Sequence, residues 1–335
     1  MKKIIIAILV AITLFPTLTF AQTDTTMIIN NNKVELTTEE YNKLKEMGYT
    51  DSQIMFFDQE IINRNLNSNS ELVNQSVSYL KTIYTYSNDN TQTYSLNNES
   101  NLINVQEVEL TKEQYELETS TPNYNIMPLD AQVTNYYGYR TLTTSLFKEG
   151  TYASPEYRVV NVVQWDDDYT PYTRSFDILG ITFANTSEIT VKAGSQYALQ
   201  TYTETHKLTG SYEFKTINYS SNSDHYTKKN NGYAISMNLV NDTTWYRMSQ
   251  MNSYLEYTVI KSGSNTVNNL QFRGAYAHAQ QTVDLLDVVG FAMDPSKTGL
   301  AMFLLSNPIS EKYDSGNKTL VQMTNIGWWF YEKKY

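Results

Sequence analysis

The sequence predicts a mainly β protein: an antiparallel β-sandwich or barrel-like domain over residues 131–335, preceded by a small acidic, partly helical region at 22–130. Three observations carry that reading. From residue 131 onward, short β-branched and aromatic runs recur between turn signals, with no long helical pattern among them. Composition changes at the same place. Residues 22–130 hold 6 Lys/Arg against 17 Asp/Glu, a net charge of −11, whereas residues 131–335 hold 17 against 18, and all four tryptophans and 20 of 28 tyrosines lie after residue 130. Finally, the clear helix-start signals fall in the acidic part.

The chain opens with Lys2-Lys3, an apolar run at 4–15, Pro16 and a small, polar stretch ending at Ala21. That order is the pattern of a secretory signal peptide, with cleavage expected after Ala21. The run is too short to span a bilayer, which needs about 20 residues, and no later stretch reaches that length, so no transmembrane anchor is expected. There is no cysteine. The exported protein is expected to rely on a buried core without disulfides, and a lipid-modified or nucleophilic cysteine is excluded.

In the acidic region, Thr37 with Glu40 forms a capping box, because the hydroxyl accepts the N3 amide while the carboxylate reaches back to the cap. Tyr41 and Leu44 then share a face, and Gly48 suits the stop. Thr50 with Gln53 restarts the pattern and places Ile54, Phe57 and Ile61 on one helical face. Two short helices joined at Gly48-Tyr49 are expected. A DNA-reading helix-turn-helix would share this layout, but export and the negative charge argue against nucleic acid as a partner. VELTTEEY at 34–41 is echoed by VELTKEQY at 108–115, a repeat of a helix start only. Between the echoes, the Asn/Ser/Thr-rich stretch 63–104 is expected to be either flexible or a small hairpin around residues 77–86.

Strands are expected at 157–165 (YRVVNVVQW), 174–183, 187–192, 197–208, 211–219, 233–240 and 254–260, with turns at 166–171, 193–195, 230–232 and 261–265. Further strands are expected at 270–279, 283–293, 299–305 and 326–331. Continuously apolar runs such as 288–293 call for burial on both faces.

The segments YRVVNVVQW at 157–165 and TRSFDILG at 173–180 resemble segments shared by uncharacterised exported proteins of Gram-positive bacteria, and AYAHAQ at 275–280 and KYD at 312–314 are similar too. The resemblance covers about the last two thirds of the chain, carries no catalytic signature, and implies secretion alone.

Motifs that carry chemistry are few. Ser145-Leu146-Phe147-Lys148, Ser236-Met237-Asn238 and Lys297-Thr298-Gly299 match the S-x-x-K, S-x-N and K-T-G order of penicilloyl-serine enzymes. That chemistry needs the serine and lysine one helical turn apart, whereas residues 141–147 alternate like a strand and put Ser145 and Lys148 on opposite faces. His206, His225 and His278 stand alone without metal-ligand spacing, and His206 and His225 are expected to be exposed. Asp166-Asp167-Asp168 reads as a solvated turn, since no calcium-loop spacing accompanies it. Trp165, Tyr169, Tyr172, Trp245 and Tyr246 flank turns, where rings can stack on sugars. The polar, alternating stretch 200–216 has the pattern of the amphipathic hairpin of a secreted pore former, which an ordinary half-wet hairpin shares.

The functional expectation is a secreted, non-enzymatic extracellular or cell-surface binding protein, without cofactor or metal, whose ligand is a polysaccharide or a surface protein. A secreted β-pore-forming toxin is the alternative, and an unrecognised hydrolase comes after it. The charge split adds a further expectation, that residues 22–130 act as a removable shield over the β domain.

Overall fold

The computed structural model describes residues 27–87, 102–120, 133–151, 154–166, 176–183, 189–229, 232–238, 240–262 and 272–278. The leader expected at 1–21, Asp167, Asp168, Tyr169, Tyr172, Lys297-Thr298-Gly299 and the strands expected at 283–293, 299–305 and 326–331 lie outside the described residues. The protein is mainly β, its strands pairing antiparallel throughout, and a small helical layer precedes the long strands.

A short ladder of β1 (Met27–Ile29) and β2 (Glu35–Thr37) leads into helix α1 (Thr38–Glu46). Both expected capping boxes form. The Thr37 hydroxyl accepts from the Glu40 amide while the Glu40 carboxylate accepts from the Thr37 amide at 2.8 Å, and Thr50 with Gln53 does the same at the start of α2 (Asp51–Phe56). Gly48 takes φ +86 between them, a left-handed backbone that favours glycine, and an added Cβ would also press on the end of the Leu72 side chain at 2.8 Å.

The second helix departs from expectation in one respect. Ile54, Phe57 and Ile61 do not ride one helix: Phe57 turns extended, and the Asp58 carboxylate accepts the Ile61 amide at 2.9 Å to start a third helix, α3 (Gln59–Asn67). A side-chain cap at Asp58 competes locally with helix continuation, and the break lets Phe56 and Phe57 both turn inward. The buried Asn30 ties the layer together, donating to the carbonyls of Ile54 and Phe57.

The stretch between the two sequence echoes forms a long hairpin. Strand β3 (Glu71–Ser87) pairs with β4 (Leu102–Leu110) on one side and with β5 (Val133–Thr151) on the other. The compositional boundary near residue 130 thus falls within one hydrogen-bonded sheet, where Lys81 stands opposite both Val108 and Tyr139. After β4, the second echo caps α4 (Lys112–Ser120) through Thr111 and Gln114.

The large sheet runs β10-β9-β13-β6-β5-β3-β4, with β6 at Ser154–Trp165, β9 at Tyr197–His206, β10 at Tyr212–Tyr219 and β13 at Tyr246–Lys261, and the short β8 (Ile189–Val191) also pairs with β13. A second sheet runs β11-β12-β7-β14, from β11 (Tyr226–Lys229), β12 (Gly232–Asn238), β7 (Phe176–Phe183) and β14 (Phe272–His278). Among the described residues the large sheet stays open and forms no closed barrel.

Alternation along β6 explains the layering. Tyr157, Val159, Val163 and Trp165 join Leu179, Ile181, Ile235, Met237 and Phe272 in a core between the two sheets. Val160 and Val162 point the other way, and with Phe147, Leu199 and Tyr254 they pack on Leu44, Ile54, Phe56, Phe57 and Ile61 of the helical layer. The central strands are therefore apolar on both faces because both faces are covered. A polar plug crosses the inter-sheet core. Asn161 accepts from Thr144 at 3.1 Å and donates to the Gly180 carbonyl at 3.1 Å, and Gly274 lets β14 approach them so closely that an added Cβ would stand 2.0 Å from the Thr144 hydroxyl oxygen.

Candidate functional site

Among the described residues two places concentrate chemistry, one buried and one exposed. The buried one lies between α3 and the large sheet. Glu256 on β13 is 0% exposed and takes Arg64 Nη1 at 2.7 Å, Arg158 Nη1 at 3.0 Å and the Tyr254 hydroxyl at 2.6 Å. Arg158 on β6 also donates to Glu149 at 2.7 Å and to Asn65 at 2.8 Å, while its guanidinium lies 4.6 Å from the Phe147 ring centre. Tyr49 closes the network by donating to Asn65 at 3.0 Å.

Positive and negative groups alternate here, so each charge is paired and hydrogen-bonded, as burial demands. Burial opposes the Arg158 charge, but Tyr49, Glu256, Tyr254 and Glu149 together hold its pKa well above the ordinary value. Burial followed by the Glu256 charge pushes the Tyr254 phenol well up. The cluster fixes where α3 sits on the sheet, and its partners are spent on one another. A similar economy rules beneath α4, where Glu118 accepts from Lys81 at 2.5 Å and from Tyr139 at 2.6 Å.

The exposed place is the end of the large sheet where the β9–β10 turn meets the loop leading into β13. His206 and Tyr246 stand opposite one another in register, with ring centres 5.2 Å apart and nearly perpendicular. The indole of Trp245 lies almost parallel to the His206 ring at 6.5 Å. Leu208 and Tyr212 are each 78% exposed and Trp245 is 57% exposed, an unusual amount of open apolar surface for one loop pair.

The backbone beneath these side chains is held firmly. Lys207 N–H donates to the Trp245 carbonyl at 2.8 Å, Thr243 N–H to the Tyr246 carbonyl at 2.9 Å, and Gly210 N–H to the His206 carbonyl at 2.9 Å. His206 Nδ1 accepts from the amides of Leu208 and Thr209, and the Thr243 hydroxyl accepts from those of Trp245 and Tyr246.

Of the residues singled out in the sequence, Trp245 and Tyr246 come together with His206 at this tip. Trp165 does not: it is buried between the sheets, donating to the Tyr276 hydroxyl at 3.1 Å with the Arg140 guanidinium 4.8 Å from its ring centre. His206 and His225 are half-buried, contrary to expectation, because each packs against a neighbouring ring, His225 against Tyr219. Ser145 faces the helical layer and accepts from Gln75 at 2.9 Å, while Ser236 lies in the other sheet and Lys148 is exposed, so these three are not assembled. Asp166 is half-buried, its amide bound to the Tyr139 carbonyl. Among the described residues no three His, Asp or Glu side chains are grouped to hold a metal ion, and no helix is long and apolar enough to cross a membrane.

The sequence reading missed Leu208, Tyr212 and the whole Arg64–Arg158–Glu256 network. A charge inside each of the apolar strands YRVVNVVQW and YLEYTVIK was the available signal. Comparison with known proteins adds little. No family model matches the chain, and no curated protein does. Among solved structures, a chain named BspA_C_mut is similar at 8% identity over 62% of this chain and 77% of that one, with a TM-score of 0.24, a likeness too slight to carry an argument.

Proposed function

We propose that the protein is a secreted, non-enzymatic binding protein that meets an extracellular or cell-surface ligand with the tip formed by residues 206–212 and 242–247. One observation carries this reading: Leu208, Tyr212 and Trp245 are open to solvent although the backbone around them is held by hydrogen bonds of 2.8–2.9 Å. Exposed apolar side chains on a rigid frame cost little ordering on association, which is what a binding surface requires. The leader at 1–21 supports the extracellular setting.

The alternative of a pore-forming toxin would need the hairpin 200–216 to leave the sheet. In the fold that hairpin comprises most of β9 and the first part of β10, it packs Tyr202 on one core and Phe214 on the other, and it buries Gln200, Thr201 and Thr203. Its departure would open both, so the binding reading is favoured.

The test uses the full chain beside a Leu208→Ser/Trp245→Ser double variant, with folding matched by circular dichroism. The native chain should be retained on intact cells or cell-wall fractions, and the double variant should lose at least about tenfold of that binding. Equal retention of the two proteins would sink the proposal.

A further inference from the structure

We infer that the tip is a membrane-interface anchor, and that its occupant is a lipid surface carrying anionic headgroups. The inference rests on the binding role just proposed for the same tip and names its ligand class. Two features separate a lipid surface from a sugar.

The first is how the polar groups of the tip are used. A saccharide is held by directional hydrogen bonds around a stacked ring, so a sugar site keeps free donors and acceptors beside the aromatic face. Here many of them are engaged within the loops. His206 Nδ1 accepts from two amides, the Thr243 hydroxyl accepts from two more, and Thr209 and Ser211 pair their hydroxyls at 2.8 Å. Lys207 Nζ donates to the Thr243 carbonyl at 2.7 Å, and Asp242 accepts from the Met248 amide at 2.9 Å. What the tip offers outward is an aliphatic side chain, an indole and a phenol, the side chains that enter the headgroup boundary of a bilayer.

The second feature is position and charge. Leu208 stands in the turn joining β9 to β10, and Trp245 stands in the adjacent loop, so the two large side chains are open to solvent side by side at one end of the sheet. The turn 205–211 (THKLTGS) contains Lys207 and no acid. Arg247 is exposed beside it, opposite Thr205. Asp242 is the acid of the facing loop and is engaged by the Met248 amide. Further down the sheet, Glu204 and Glu213 are both paired to Lys215. In a chain of net charge −10, this end therefore presents Lys207 and Arg247 next to its apolar side chains, the combination that favours an anionic leaflet.

The test is flotation of the full chain with vesicles of phosphatidylcholine alone and with added phosphatidylglycerol, run beside Leu208→Ser, Trp245→Ser and the pair Lys207→Gln/Arg247→Gln. The native chain should float with the anionic vesicles and its tryptophan emission should shift to the blue. Leu208→Ser and Trp245→Ser should each weaken binding about tenfold or more, and the charge pair should lose about twentyfold on anionic vesicles while the neutral ones change little. Flotation that survives both serine variants would overturn the inference. Retention on cells or insoluble polysaccharide without flotation, lost in the serine variants, would overturn the lipid assignment and leave the binding tip standing. If the native chain binds neither vesicles nor cells, both readings fall.

Discussion

The two faces of the large sheet are covered in different ways. Towards the second sheet, packing is apolar apart from two polar insertions, the Asn161 plug that bridges Thr144 and Gly180 and the buried Arg140, whose guanidinium lies against Trp165 and Tyr276. Towards the helical layer, an apolar patch is joined to a cluster of buried charges around Glu256. Burial of apolar area has no direction and tolerates sliding, whereas paired ions lock a position and penalise every other one. The comparison teaches that the second sheet is held mainly by how much it buries, and the helices by where their charges must sit.

The largest effect should come from breaking the charged face. Glu256→Ala would strand Arg64 and Arg158 without their shared partner, and a loss of about 3–5 kcal/mol is expected in urea unfolding. A loss below about 1 kcal/mol would show that the apolar patch alone positions the helices. Replacing Arg158 and Glu256 together by Met and Leu should recover most of the stability, since a well-packed apolar pair can stand in for a buried ion pair.

On the face towards the second sheet, Gly274→Ala places a methyl 2.0 Å from the Thr144 hydroxyl oxygen and should cost about 1–3 kcal/mol. Adding Thr144→Ala should return part of that, and an unchanged melting temperature for Gly274→Ala would show that the sheets separate without strain. Next in size is Thr50→Ala, which removes the α2 cap and should cost about 1 kcal/mol.

Acid gives the smallest effect. Burial raises the Glu118 carboxyl, but its hydrogen bonds from Lys81 and Tyr139 outweigh that and hold it below the usual carboxylate range. A group depressed in the folded state stabilises above its unfolded pKa, near 4.5, and the gain disappears as pH falls through the lower folded value. Lys81→Met should shrink the loss of stability between about pH 5 and 3, which thermal melts across that range would reveal.

Local signals were well expressed in the sequence, and remote ones were not. The capping boxes at Thr37 and Thr50 formed as expected, since each is written within four residues. Strand 157–165 showed as an apolar run because two layers cover it. Strand β13 looked short, beginning at 254, because Gln250 at φ 52 makes a bulge that shifts the register between Ser249 and Asn252 and breaks the alternation. The charge change near residue 130 does not divide the sheet, since β3 pairs with β5 across it. Arg64, Arg158 and Glu256 lie too far apart in the chain for any spacing rule to join them. The tip was half legible: its aromatics were noticed, but exposure of Leu208 and Tyr212 depends on neighbours that only the fold supplies.

The Arg64–Glu256 pair spans 192 residues. A chain synthesised from its N-terminus therefore makes α3 long before the carboxylate that seats it exists. Until β13 has joined β6 and β9, the apolar sides of the first three helices have no finished sheet to lie on. Contacts of such separation slow folding, and they place the docking of the helices among its late events. A chain halted before residue 246 would carry its opening helices unseated, exposed to proteases and to one another, and β13, the last of the described strands to join the large sheet, is in effect the latch for the first helices of the chain.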